Sequence, residues 1–241
     1  MKRLLLTAFA ATITAGGALA ADVMPIVIPP PPPVVVPVPT PSNLYVSVFG
    51  GLVIIRDGVW YQPDPEARID LRGFRIGGAI GMNIGGGPLA VEGEVTYARL
   101  YATSICEGPE EDETCFDPEE VEAYANATLL TLMGNLRFGP TDGFFRPYAA
   151  VGGGLARLAL DSNLGADGVG PGGGDNTDWT WGFQAMVGID LAITDNLLVG
   201  ARYRFQRIGP TNFIDLGDDP FSVGPLNVHS IEAGITIRFG G

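Results

Sequence analysis

The sequence predicts an all-β protein, an eight-stranded antiparallel transmembrane β-barrel with short turns at one end and long loops at the other. Three observations carry this reading: an export signal at the N-terminus, eight stretches of alternating apolar and polar residues after Ser42, and a strict alternation of short and long connections between them. Composition agrees. Hydrophobic residues make up 46% of the 241, charged residues only 17%, and there are 35 glycines and 20 prolines. That balance suits a β-protein with many tight turns and one greasy surface. A soluble acidic enzyme ordinarily carries more charge.

The N-terminus reads Met1-Lys2-Arg3, then an apolar run from Leu4 to Ile13, then Ala18-Leu19-Ala20. Basic residues, a short apolar core and a small-residue cleavage site define a secretory signal, so residues 1–20 are set aside from the fold. Their removal leaves 12 basic against 27 acidic residues and a mature net charge of −15, which makes nucleic acid a poor partner. No later stretch approaches the roughly 18 consecutive apolar residues of a transmembrane helix. An exported chain of this hydropathy must therefore hide its apolar residues in another way. Residues 21–42 form a separate segment with nine prolines between Pro25 and Pro41. Such a run favours polyproline II and spans on the order of 50 Å, a stiff periplasmic spacer before the barrel of residues 43–241.

Strands are expected near 43–54, 69–84, 88–101, 121–138, 144–160, 179–193, 197–208 and 227–239. Three connections are tight: Gly85-Gly86-Gly87-Pro88, Gly139-Pro140-Thr141-Asp142-Gly143 and Thr194-Asp195-Asn196. Glycine, asparagine and aspartate tolerate the positive φ that hairpin turns demand. The other four connections, at 55–68, 102–120, 161–178 and 209–226, are long and polar. An outer-membrane barrel places short turns in the periplasm and long loops outside, and an even strand number leaves both chain ends in the periplasm.

Alternation alone does not say which face meets lipid, because a soluble ligand-carrying barrel has the same period with its apolar residues inside. The charges decide. The polar faces carry Arg75, Glu92, Glu94, Asn135, Arg137, Arg146, Gln184, Asp190, Arg202, Arg204, Gln206, Glu232 and Arg238, mixed in sign and able to pair inside a lumen. Lysine, which a soluble barrel wears outside, does not occur after the signal. The apolar faces carry Tyr97, Tyr101, Trp179 and Trp181 toward the loops and Phe138, Phe144 and Phe145 toward a short turn, as interfacial girdles do. A lumen charge network is thus expected from Arg75, Glu92, Glu94, Arg137, Asp190, Arg202, Arg204, Glu232 and Arg238. Eight strands enclose just enough room for side chains, so these charges must match one another.

The opening Asn43-Leu44-Tyr45-Val46-Ser47-Val48-Phe49-Gly50-Gly51, the Arg146-Pro147-Tyr148-Ala149-Ala150-Val151-Gly152-Gly153-Gly154 segment and the closing Glu232-Ala233-Gly234-Ile235-Thr236-Ile237-Arg238-Phe239 resemble a known group. It is the eight-stranded outer-membrane barrel superfamily of opacity proteins and outer-membrane-protein-A-like proteins, often called porin-family proteins or surface antigens. The resemblance covers nearly all of the mature barrel and implies a superfamily rather than one activity. It implies insertion by a barrel-assembly machine that reads a terminal aromatic residue, here Phe239. Gly240 and Gly241 after it depart from that pattern.

No residue set points to catalysis or to a cofactor. His229 is the only histidine and stands next to Ser230. Barrel-borne lipid A deacylases place their histidine and serine two apart on a strand, whereas adjacent residues project to opposite faces. Glu92 and Glu94 share a face at a spacing that could serve acid/base work, but structural pairing with the lumen arginines accounts for them better. Cys106 and Cys115 bracket an acidic loop and, in an oxidising compartment, suggest a disulfide; they lack the ligand pattern of a zinc site. The loop carboxylates, including Asp117, Glu119, Glu120, Asp215, Asp218 and Asp219, form either a solvated acidic surface or a weak divalent-cation surface. Asp161-Ser162-Asn163-Leu164-Gly165 begins like a calcium loop but reaches Gly172 where the closing glutamate belongs, and Gly170 to Gly174 is no nucleotide cradle.

The reading is of a non-enzymatic outer-membrane barrel with a filled lumen and a structural, surface-antigen or adhesion role. Its partners are outer-membrane lipid and lipopolysaccharide, the assembly machinery, and host or extracellular ligands at the loops. A narrow porin-like channel for ions or small solutes is the alternative. A lipid-modifying enzyme at the rim and a soluble lipocalin-like carrier are more distant ones.

Overall fold

The structure is a computed structural model, and it describes residues 44–61, 67–107, 114–117, 125–162, 176–213 and 221–239. The expected signal and proline-rich segments lie outside the described residues. So do Gly170 to Gly174, Glu119, Glu120, Asp215, Asp218 and Asp219.

In chain order the strands are β1 (Leu44–Tyr61), β2 (Ala67–Asn83), β3 (Leu89–Glu107), β4 (Thr114–Phe116), β5 (Ala125–Phe138), β6 (Phe145–Ser162), β7 (Asn176–Ala192), β8 (Leu197–Ile208), β9 (Thr211–Phe213), β10 (Phe221–Val223) and β11 (Leu226–Phe239). Eight long strands follow one another around the wall as β11, β8, β7, β6, β5, β3, β2 and β1, all antiparallel. The wall closes where β1 meets β11, in an unbroken register from Leu44 opposite Phe239 to Ile55 opposite Val228. The short β4 pairs with β3, and β9 with β10, which leans on β1. At the short-turn end, Gly85 and Gly86 adopt φ of 60° and 69°, and Gly143 adopts 89°, values that a side chain would strain.

Several strands outrun expectation. β1 continues to Tyr61 rather than stopping at Ile54, β2 starts at Ala67, and β3 runs to Glu107 rather than Tyr101. The polar outer residues of these stretches read as loop, but their inner faces stay apolar: Ile55 and Ile105 are buried. An apolar inner row gives the ladder something to close around above the bilayer.

That inner row also corrects the expectation that the ionic face points inward along the whole strand. In the short-turn half, lumen positions carry Arg75, Glu92, Glu94, Arg204 and Glu232, all buried, while Val48, Leu52, Ile76, Phe183 and Ile231 stand exposed on the outside. Toward the loops the pattern reverses. Val53, Ile55, Leu71, Leu100, Leu129, Leu158, Ile208 and Val228 fill the lumen as one apolar cluster, while Arg56, Arg72, Arg99, Arg157 and Arg207 are exposed outside. The barrel is thus a membrane protein in one half and built like a soluble protein in the other, and the crossover marks the bilayer surface.

An arginine on the lipid face of the membrane half has no partner in hydrocarbon. Ile235→Arg, whose side chain is exposed there, is expected to lose about 2–4 kcal/mol in reversible urea unfolding from lipid vesicles. An unchanged midpoint would show that this face does not meet acyl chains.

Candidate functional site: the lumen charge network

The alternation of β3, β5, β7, β8 and β11 sends one polar side chain inward every second residue, and the register brings them to two levels. At the upper level Arg204 is fully buried between two carboxylates. Its Nη1 and Nη2 donate to Glu94, the latter at 2.9 Å, and its Nε donates to Glu232 Oε1 at 2.9 Å. Arg202 donates to Glu232 Oε2 at 2.6 Å, and Arg75 lies 3.5 Å from Glu232 Oε1. Gln184 ties the level together, donating to Glu94 Oε1 at 3.0 Å and Asn135 Oδ1 at 2.7 Å while accepting from Gln206 at 2.8 Å. Ser230 donates to Glu232 at 2.8 Å.

At the lower level, nearer the short turns, Arg137 pairs with Asp190 and with Glu92, the latter at 3.4 Å, and the Tyr45 hydroxyl donates to Glu92 at 2.6 Å. Eight of the nine residues expected in the lumen network thus meet as four arginines and four carboxylates, which balance. Arg238 stands apart and donates to the Thr141 carbonyl at 2.8 Å.

Three aromatic members escape the sequence reading. The Arg202 guanidinium lies 3.5 Å from the centre of the Phe49 ring, and that of Arg137 lies 3.6 Å from the centre of the Tyr148 ring and 5.8 Å from that of Tyr45. Each stacks a weakly hydrated cation on an aromatic face. Their signal lies across the strand pair. Tyr45 stands opposite Gly81 and Phe49 opposite Gly77, and a Cβ at either glycine would fall within 2.6 Å of the facing ring. Two glycines four apart, matched to two aromatics four apart, mark rings lying flat inside the wall. This is a packing reason for Gly77, beyond the curvature that glycines allow.

Other residues of interest fall elsewhere. Cys106 and Cys115 lie opposite each other on β3 and β4 and are joined by a disulfide. His229 faces outward, its Nδ1 2.7 Å from the Tyr203 hydroxyl and its ring 5.2 Å from that of Phe205, while Ser230 faces the lumen. Histidine and serine do not meet. Phe239 ends β11 on the exposed face, opposite Leu44.

A sequence profile of the outer membrane protein beta-barrel domain matches residues 42–239. The chain belongs to that family. Members of the family are bacterial outer-membrane barrels, and the closed eight-stranded wall is theirs. No curated protein sequence matches the chain. Among solved structures it is similar to Neisserial surface protein A, at 18% identity and a TM-score of 0.51 over 82% of this chain and 98% of that one. It also aligns with a major outer membrane protein from Thermus thermophilus, at 12% identity and a TM-score of 0.49 over 82% of this chain and 100% of that one. With Ail of Yersinia pestis the figures are 15%, 0.40, 81% and 98%.

The lumen arrangement neutralises charge and holds the wall in shape; it presents no paired nucleophile and base among the described residues. Glu94→Gln would leave Arg204 short of a partner at a fully buried site, so a loss of about 3–5 kcal/mol in thermal or urea unfolding is expected. Adding Arg204→Met should recover most of it. A double variant no more stable than the single one would show that the pair is not a desolvated unit.

Proposed function

We propose that this is a non-conducting, non-enzymatic outer-membrane barrel that strengthens the envelope and presents its long loops to extracellular partners as a surface antigen or adhesion protein. One observation carries the reading: two stacked layers fill the lumen. The lower is the salt-bridged network, in which Arg75, Arg204 and Glu232 are at most 1% exposed; above it Leu100, Leu129, Leu158 and Ile208 are equally buried. An ion crossing this barrel would have to leave the ionic layer and enter an apolar one, the costliest step a conduction path can contain.

Two further elements follow from the same frame. Because Leu44 begins β1 at the short-turn end, the proline-rich residues 21–42 serve as a periplasmic spacer, and β11 with its terminal Phe239 serves as the segment the assembly machinery reads. The disulfide between Cys106 and Cys115 closes a short ring of chain at the tip of β3, restricting the loop conformations that a partner meets.

Mature protein reconstituted in planar bilayers is expected to give no steady unitary current, although heating in detergent shifts its gel mobility as a folded barrel's does. A stable conductance step from the folded form would overturn the reading in favour of a narrow channel. Protease added to intact cells should cut at the long loops and leave the turns whole.

A further inference from the structure

At the short-turn end the lumen opens as a cup of about 40 Å³, lined by Ala90, Leu198, the paired Arg137 and Asp190, and two further arginines, Arg146 and Arg238. Arg146 is the second residue of β6 and Arg238 the last but one of β11, so both stand at the mouth. A single turn positions the two guanidinium groups: Arg146 Nε donates to the Gly143 carbonyl at 2.8 Å, and Arg238 Nη1 donates to the Thr141 carbonyl at 2.8 Å. Gly143 shapes that turn with its φ of 89°. An arginine carries five N–H donors, so one anchor each leaves the greater part of both groups turned to the cup.

Charge shows what the cup is short of. The four lumen carboxylates, Glu92, Glu94, Asp190 and Glu232, are all held by Arg75, Arg137, Arg202 and Arg204. Arg146 and Arg238 are left over, and among the described residues neither forms an ion pair. Asp142 and Asp195 stand on the adjoining turns, but both are exposed and neither bridges to an arginine of the cup. Bulk water satisfies an exposed arginine. Arg146, however, is only 8% exposed, and a cation so far from solvent calls for an anion beside it. Size and shape then select the anion. A cavity of this volume takes about three water-sized groups, as many as the heavy atoms of a carboxylate, whose two oxygens match the planar fork of a guanidinium. A tetrahedral phosphate is larger, and its second charge would meet Asp190.

The geometry points to a carboxylate-binding site in the periplasmic mouth of the barrel, where Arg146 and Arg238 clamp a carboxyl group that enters along the barrel axis. Its ligand is a water-soluble molecule ending in a free carboxylate, as a peptide does. Lipid does not compete for this place, because headgroups lie against the outside of the wall and the cup opens from the lumen. The two arginines are held by the turn before any ligand arrives, so little ordering is left for binding to bear. The site goes beyond the loop-side reading and does not rest on it: conductance and loop cleavage can take either outcome without moving carboxylate binding.

The test titrates folded mature protein in uncharged detergent micelles with N-acetylglycine or with its neutral amide, following the arginine Nε–H signals by heteronuclear NMR. The acid should shift the Arg146 and Arg238 signals saturably and leave those of the sealed Arg75 and Arg204 in place, while the amide shifts none. R146Q should weaken binding of the acid at least about tenfold, and R146Q/R238Q should remove it. An equal response to acid and amide by the wild type would overturn the proposal without any variant having to fold. Inorganic phosphate binding more tightly than N-acetylglycine would assign the cup to a phosphoryl group and overturn it equally.

Discussion

Hydrocarbon offers a peptide group nothing to bond with, so every N–H and C=O of a strand crossing it must find a neighbouring strand. The antiparallel ladder between β1 and β11 meets that demand by leaving the eight-stranded wall without an edge. The rest of the architecture descends from that closure. Eight strands enclose a lumen about as wide as its own side chains, so whatever faces inward is desolvated. A charge placed there must carry its partner with it, which is why Glu94, Arg204 and Glu232 occur as a connected set. The same narrowness makes a ring such as Phe49 lie flat, and it lies over Gly77 because only glycine leaves the room.

The layering of the lumen then limits what the barrel can do. A salt-bridged network alone does not exclude transport, since paired charges can exchange partners with a passing ion. The apolar layer above it does more. Ile55, Leu100, Leu129, Leu158 and Ile208 are at most 1% exposed and offer no polar atom to replace a hydration shell. With the lumen committed to holding the wall together, the proposed extracellular recognition role falls to the loops.

Most of the fold was legible because the two-residue period and the alternation of turn lengths report directly on pairing and closure. The eight interacting lumen charges were legible for a related reason: mixed charges on otherwise apolar strands have nowhere else to go. Tyr45, Phe49 and Tyr148 were not, because an aromatic at a lumen position looks the same in sequence as one facing lipid. Only the register that sets Tyr45 against Gly81 and Phe49 against Gly77 reveals which way the rings point. The true lengths of β1, β2 and β3 were hidden as well. Polar outer residues such as Arg56 and Thr103 resemble loop until one sees that Ile55 and Ile105 keep an inner core going beside them.

The reversal of the two faces leaves a mark in the chain that a search for strict alternation passes over. Below the bilayer surface the inward position is polar and the outward one apolar; above it the assignments exchange, although the strand keeps its period. At the crossing, the phase of the pattern slips by one residue. β8 shows it in the run Arg204-Phe205-Gln206-Arg207-Ile208, where Gln206 is the last polar residue inside and Arg207 the first cation outside. β11 crosses the same surface at Val228-His229-Ser230-Ile231, with His229 outside against Tyr203 and Ser230 inside on Glu232. Two polar neighbours in a strand otherwise alternating are what such a slip produces. The adjacent histidine and serine, which resemble half of a catalytic set, are therefore explained by position: they stand where β11 enters the membrane from the loop side.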